Sequence, residues 1–268
     1  MIKLNGHVVE LNQFPDGTLL TKEKITEPVN IISWRYENDR ELFAIYCLAR
    51  HINDVGMISE LYMPYIPNAR QDRVKEDHDV FTLKYFSEII NACGFRKVYV
   101  FDPHSPVSEA LINNICINTG AEMITELLEK ITNQDPSKEL VVCYPDDGAY
   151  KKYSSFVSAH TCYGIKKRDW ATGKISGLDI MLNGEDIKGK TILMVDDIIS
   201  YGGSMFYAAK KLKELGCGDI YIYASHVENS ILDGELIKSG LFKKIFTTDS
   251  LFSKSHKTIE VVKIIQED

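Results

Sequence analysis

The chain has 268 residues, 44% of them hydrophobic, which is enough to bury a full core and fits two domains better than one large one. With 38 acidic against 31 basic residues and a formal charge of −7, it argues against a nucleic-acid-binding face, although local cationic loops can still hold a small anionic substrate. No apolar stretch has the length of a membrane span and the start, Met1-Ile2-Lys3-Leu4-Asn5-Gly6, has no signal core, so we expect no membrane partner and a cytoplasmic protein, in host cytoplasm if viral.

Short β-rich runs alternate with longer amphipathic segments, the pattern of βαβ units around a parallel sheet. In chain order the first half predicts strand Val29–Ser33, helix Arg40–Asn53, strand Glu60–Met63, helix Phe81–Cys93, strand Lys97–Phe101 and helix Ser105–Thr119. The polar run Thr132-Asn133-Gln134-Asp135-Pro136-Ser137-Lys138 reads as a linker and divides the chain into domains 1–131 and 139–268. The second half predicts strands Leu140–Cys143 and Ile192–Val195, helix Ser204–Leu215 closed by Gly216, and strands Ile220–Ala224 and Lys244–Thr247. Six scattered cysteines lack a C-x-x-C pair, and several lie in apolar runs, as Cys143 does, so they read as buried reduced thiols.

Four predicted strands end in acidic or imidazole groups: Asp102-Pro103-His104, Tyr144-Pro145-Asp146-Asp147-Gly148, Asp196-Asp197 and Ser225-His226. Any one could be a turn residue or helix cap. Together they place titratable groups at the carboxyl edge of two sheets, where ligands of open α/β sheets bind. Within Thr191–Ser204 an apolar strand leads to Asp196 and Asp197, then to Ser200-Tyr201-Gly202-Gly203-Ser204 and a helix. Carboxylates suit sugar hydroxyls, and a glycine turn at a helix start aims amides at a phosphate.

This run resembles the phosphoribosyl-pyrophosphate signature of type I phosphoribosyltransferases and of ribose-phosphate diphosphokinases, without choosing between them. The segment Tyr62-Met63-Pro64-Tyr65-Ile66-Pro67-Asn68-Ala69-Arg70-Gln71-Asp72-Arg73 chooses: it resembles the nucleotide loop of the diphosphokinases. Arg70 and Arg73 can grip a triphosphate in bidentate fashion and Gln71 can offer an amide, and the likeness places Asp72 and His104 with them among the ATP-binding residues. The likeness continues in order along nearly the whole chain. Gln13-Phe14-Pro15-Asp16-Gly17 resembles the F-x-D-G segment, which implies that Phe14 and Asp16 meet adenine and ribose from a neighbouring subunit; the family's next acidic residue is Thr18 here. By the same likeness His104 and Asp146 would hold Mg²⁺ on the ATP phosphates. Lys166 and Arg168 match the K-x-R pair of a loop that closes over the transferred group, with Lys167 substituting if the register shifts by one, and Trp170 would shield the site. His226 matches a strand followed by T-H, in a supporting role.

The resemblance implies an α/β fold of two tandem phosphoribosyltransferase-like (Rossmann-like) domains with mainly parallel sheets. It implies an enzyme, a homo-oligomer (dimer or hexamer), and Mg²⁺-dependent transfer of the diphosphoryl group of ATP to the C1 hydroxyl of a ribose 5-phosphate moiety, releasing AMP. Asp196 and Asp197 would take the ribose hydroxyls, and Ser200, Tyr201, Gly202, Gly203 and Ser204 the 5-phosphate. One departure stands out: the family's D-T-A-G-T turn reads Ser200-Tyr201-Gly202-Gly203-Ser204 here, losing an acidic residue and gaining a phenol. That leaves open an acceptor with an esterified 5-phosphate, ADP-ribose, as in NAD⁺ rebuilding by phages. A phosphoribosyltransferase and an inactive regulatory paralogue are the remaining alternatives.

Overall fold

The structure is a computed structural model that describes residues 1–168 and 175–264, with the side chains of 166–177 outside the description. The described chain forms two compact units, Met1–Thr119 and Gly120–Ile264. In the first, strands Val29–Trp34, Ile58–Tyr62, Val98–Phe101 and Ile115–Asn118 lie parallel in chain order, and Ile2–Leu4 and His7–Val8 extend the sheet antiparallel at one edge. Helix Arg40–Asp54 buries Ala44, Ile45, Leu48, Ala49 and Ile52, an i, i+4 stripe against the sheet residues Ile32, Leu61 and Val98.

The helix expected over Ser105–Thr119 is a correction. Only Val107–Leu111 is helical, Asn114 turns the chain at φ 55°, and Ile115–Asn118 pairs with Val98–Phe101 as the sheet's last strand. Asn114 Nδ2 reaches the Phe95 carbonyl at 3.0 Å, and the Asn113 amide donates to Asn91 at 2.8 Å. Those contacts and the sheet edge outweigh a local pattern that a helix would also satisfy.

In the second unit the strand order is Ile175–Met181, His160–Arg168, Leu140–Tyr144, Thr191–Ile199, Ile220–Val227, Lys244–Thr248, Ile259–Val262; all pairs are parallel except the first. Alternate residues face opposite layers. Ile192 and Met194 pack with Met205, Ala208, Ala209 and Leu212 of helix Gly203–Glu214, whereas Leu193 and Val195 pack with Ala149 and Tyr153 of helix Asp147–Tyr153 and with Ile124, Leu127 and Ile131 of helix Ala121–Gln134. Because that last helix covers this sheet, the polar run 132–138 lies inside the second unit and the division falls at Thr119/Gly120.

Thr191–Ile199 decides where a ligand can enter. Its pairing with Leu140–Tyr144 stops at Met194 opposite Cys143, but its pairing with Ile220–Val227 continues to Ile199 opposite Val227. From Leu140–Tyr144 the chain goes to one side as His160–Arg168 and later returns on the other as Thr191–Ile199. Strand order reverses there, and the crevice at such a switch point is the ligand position of open α/β sheets. The parallel strands of the first unit run in chain order without a reversal.

Candidate active site

Asp196 and Asp197 are part of the strand rather than beyond it, on the flank that Leu140–Tyr144 leaves open. Alternation sends Asp197 to the face of Leu193 and Val195, where helix Asp147–Tyr153 packs. Asp146 caps that helix, its carboxylate accepting the Ala149 amide at 3.1 Å. Near the helix's other end Lys152 Nζ stands 3.3 Å from Asp197 Oδ2. Lys152 belongs to no motif in the sequence; its one signal is its place as the second lysine of Lys151-Lys152, six residues after the capping aspartate. Removal from water pushes the Asp196 carboxyl well above the usual carboxylate range, the charges of Asp197 and Asp146 push it further, and the Asp197 amide, donating to Asp196 at 2.9 Å, opposes them. Asp197 and Asp146 thus place a negative potential at Asp196, an environment that favours a proton or a cation.

After Ile199 the turn Ser200–Gly202 leads into helix Gly203–Glu214, one residue earlier than expected. Gly202 is the N-cap, at φ 79°, and a Cβ there would meet Leu236 at 2.9 Å, so both conformation and space require glycine. No acidic residue occupies the first helical turn. The opening amides and the exposed Ser204 are therefore available to an anion. Tyr201 is 62% exposed. Ser200 Oγ donates to Glu228 at 2.7 Å, and Ser230 Oγ donates to the same carboxylate at 3.2 Å. The acid that the turn lacks in sequence is thus supplied in space from the end of the next strand, and the Ser200 proton expected for a phosphate is committed to Glu228.

In the first unit the expected nucleotide loop carries exposed Arg70, Gln71 and Arg73 around a buried Asp72. Asp72 accepts Arg73 Nε at 2.7 Å and Nη2 at 2.8 Å, and Ser105 Oγ at 2.6 Å. The Arg73 guanidinium is the main cause of an Asp72 pKa lowered to about 2, with burial opposing and the Ser105 hydroxyl and nearby His104 helping. Asp72 therefore ties the loop to the segment that carries exposed His104, while Asp102 just before it is buried at φ 44°. Gln71 Oε1 accepts the Thr82 hydroxyl at 3.0 Å, at the start of helix Thr82–Ala92. Phe14 is 50% exposed between strands Asn12–Gln13 and Leu19–Leu20. Asp16 turns back to accept the Thr18 amide at 3.0 Å and its hydroxyl at 2.7 Å, so Thr18 serves as Asp16's internal partner.

Lys166 and Arg168 lie on the backbone of strand His160–Arg168, paired antiparallel with Ile175–Met181, a hairpin the sequence reading did not expect. Their side chains, those of Lys167 and all of Trp170 are outside the described residues. His226 is buried, with Nδ1 2.7 Å from Ser250 Oγ. Among the described residues no group of three His, Cys, Asp or Glu side chains is arranged to hold a metal alone, and no helix is long and apolar enough to cross a membrane. A cavity of about 620 Å³ lined by Thr21–Lys24, Cys47, Leu48 and His51 contains none of the expected residues.

No family model matches the chain. The ribose-phosphate pyrophosphokinase of Pyrococcus abyssi is 28% identical over 224 residues, covering 81% of this chain and 75% of its own. That of Chlorobaculum tepidum is 31% identical over 198 residues, covering 72% of this chain and 58% of its own. Among solved structures, the phosphoribosylpyrophosphate synthetase of Mycobacterium smegmatis superposes over 96% of this chain and 86% of its own with a TM-score of 0.77 at 18% identity, so the fold is shared.

Proposed function

The chain is a divergent member of the ribose-phosphate pyrophosphokinase family, and on that premise we propose that it transfers the β,γ-diphosphoryl group of ATP to the C1 hydroxyl of a ribose 5-phosphate moiety, releasing AMP. One observation carries the reading: Asp196 and Asp197 occupy the open flank of a switch-point strand, directly before an anion-accepting helix start. The carboxylates take the ribose hydroxyls, and the amides and hydroxyl of Gly203 and Ser204 take the 5-phosphate. Arg70, Gln71 and Arg73, with Phe14 and Asp16 from a second copy of the chain, bind ATP. Lys166 and Arg168 neutralise the group in transit. No protein nucleophile is required, so proximity and charge stabilisation dominate the rate.

The three carboxyl oxygen donors Asp146, Asp196 and Asp197, and the negative potential at Asp196, fit a hard divalent cation. Among the described residues no three protein side chains hold one alone, and Asp146 would be its protein donor in the second unit, as the family likeness implies. Mg²⁺ so bound would supply neutralisation of the phosphate charge.

Incubation with ATP, Mg²⁺ and ribose 5-phosphate tests the proposal through AMP formation. Pyrophosphate release from a phosphoribosyl pyrophosphate and a nucleobase would indicate a phosphoribosyltransferase instead, and nucleotide binding without AMP would indicate a regulatory paralogue. A second acceptor, ADP-ribose, is favoured by the Glu228 carboxylate beside Ser200, which opposes a phosphate dianion more than a diester, and by the exposed Tyr201 ring, which offers a stacking surface. Product mass with each acceptor separates the two.

A further inference from the structure

We propose that Lys152 is an acceptor-positioning residue, whose ammonium fixes the Asp197 carboxylate in the orientation that receives the ribose hydroxyls; this deepens the function proposed above and rests on it. Helix Asp147–Tyr153 begins at Asp146, whose carboxylate caps it, and Lys152 near its end meets Asp197 at 3.3 Å. One short rigid element thereby spans the strand end that carries Asp146 and the strand that carries Asp197. The Lys152 side chain is 26% exposed and the Asp197 side chain 7%, so little solvent screens the pair. The Tyr153 ring lies 5.1 Å from the same ammonium, a second restraint on its position. Lys151 differs: its side chain is 74% exposed and pairs with Asp147 on the outer surface.

The chemistry gives the lysine a purpose. An acceptor phosphate and a diphosphoryl donor both bring negative charge to a strand end where Asp146 and Asp197 already repel charge on Asp196. A cation fixed to Asp197 reduces that repulsion and holds the carboxylate still before the sugar arrives, so its effect falls on acceptor binding rather than on ATP.

The test compares Lys152→Met, Lys152→Arg and Lys151→Met by ribose 5-phosphate calorimetry in Mg²⁺ buffer and by steady-state kinetics, with melting curves to verify folding. The Met variant should weaken acceptor binding and raise the acceptor KM about tenfold with the ATP KM within about twofold, the Arg variant should recover most of the loss, and Lys151→Met should match wild type. A folded Lys152→Met protein that binds acceptor as wild type does, or one whose ATP KM rises as much as its acceptor KM, overturns the proposal. If the Met variant does not fold, the Arg variant decides: acceptor affinity near wild type supports the positioning role, and a loss as large as tenfold overturns it. Wild-type protein that binds ribose 5-phosphate through Lys152 yet forms no AMP supports the positioning role while refuting the diphosphoryl-transfer reading; AMP formation with a Lys152-independent acceptor affinity does the reverse.

Discussion

Asp72 and Ser105, residues only 9% and 3% exposed, are joined by a 2.6 Å hydrogen bond between their side chains, and this bond links the arginine-bearing loop of the first unit to the segment after strand Val98–Phe101. Both Asp72 oxygens are in use, since Arg73 takes them in bidentate fashion. The acid within this arginine-bearing loop is therefore an internal brace, and Arg70, Gln71 and Arg73 are the loop's exposed groups.

The brace should show in acid. Asp72 titrates at about 2 in the folded state, below the ordinary 3.8, so its contribution is fully present above pH 4 and is lost as pH falls through about 2. Because Arg73 is largely exposed, the contribution is on the order of 1 kcal/mol. Melting curves between pH 6 and pH 2 should fall more steeply for wild type than for Asp72→Asn over the acid limb; identical slopes would show that Asp72 carries no such linkage.

Glu228→Gln should shift acceptor preference. The carboxylate sits on Ser200 beside the anion turn, and its removal relieves repulsion of a phosphate dianion more than of a diester. The ratio of kcat/KM for ribose 5-phosphate over ADP-ribose should rise about threefold to tenfold. An unchanged ratio would mean that Glu228 does not read acceptor charge.

Gly202→Ala should weaken the turn twice over, through a φ of 79° and a Cβ 2.9 Å from Leu236. A loss of about 1–2 kcal/mol is expected, together with weaker binding of the acceptor phosphate. For stability alone Gly203→Ala is the control, since its Cβ would meet no protein atom within 4 Å. Urea denaturation and acceptor titration of both variants provide the comparison.

Lys166→Ala should depress kcat by about a hundredfold or more while ATP binding changes little, as expected of a cation that acts on the group in transit. Single-turnover AMP formation and equilibrium nucleotide binding measure the two effects. If Lys167→Ala shows the loss and Lys166→Ala does not, the register of the K-x-R pair is shifted by one residue.

Periodicity and strand-end chemistry made the parallel strands legible from the sequence, because a strand buried on both faces is written as a continuous apolar run such as Thr191-Ile192-Leu193-Met194-Val195. They did not reveal strand His160–Arg168, which carries Lys166-Lys167-Arg168 and has no apolar run of that kind, nor Ile115–Asn118, whose state depends on an available sheet edge.

The order of motifs along the chain was enough to indicate the pyrophosphokinase family, since glycine turns, paired aspartates and strand ends are local features that do not depend on distant partners. Only the folded structure decided how the polar groups are shared out: that Lys152 meets Asp197, that Glu228 returns an acid to the turn, and that Asp72 serves Ser105 rather than solvent. Partners separated by 45, 28 and 33 residues are chosen by sheet order and packing, and no local pattern encodes that choice.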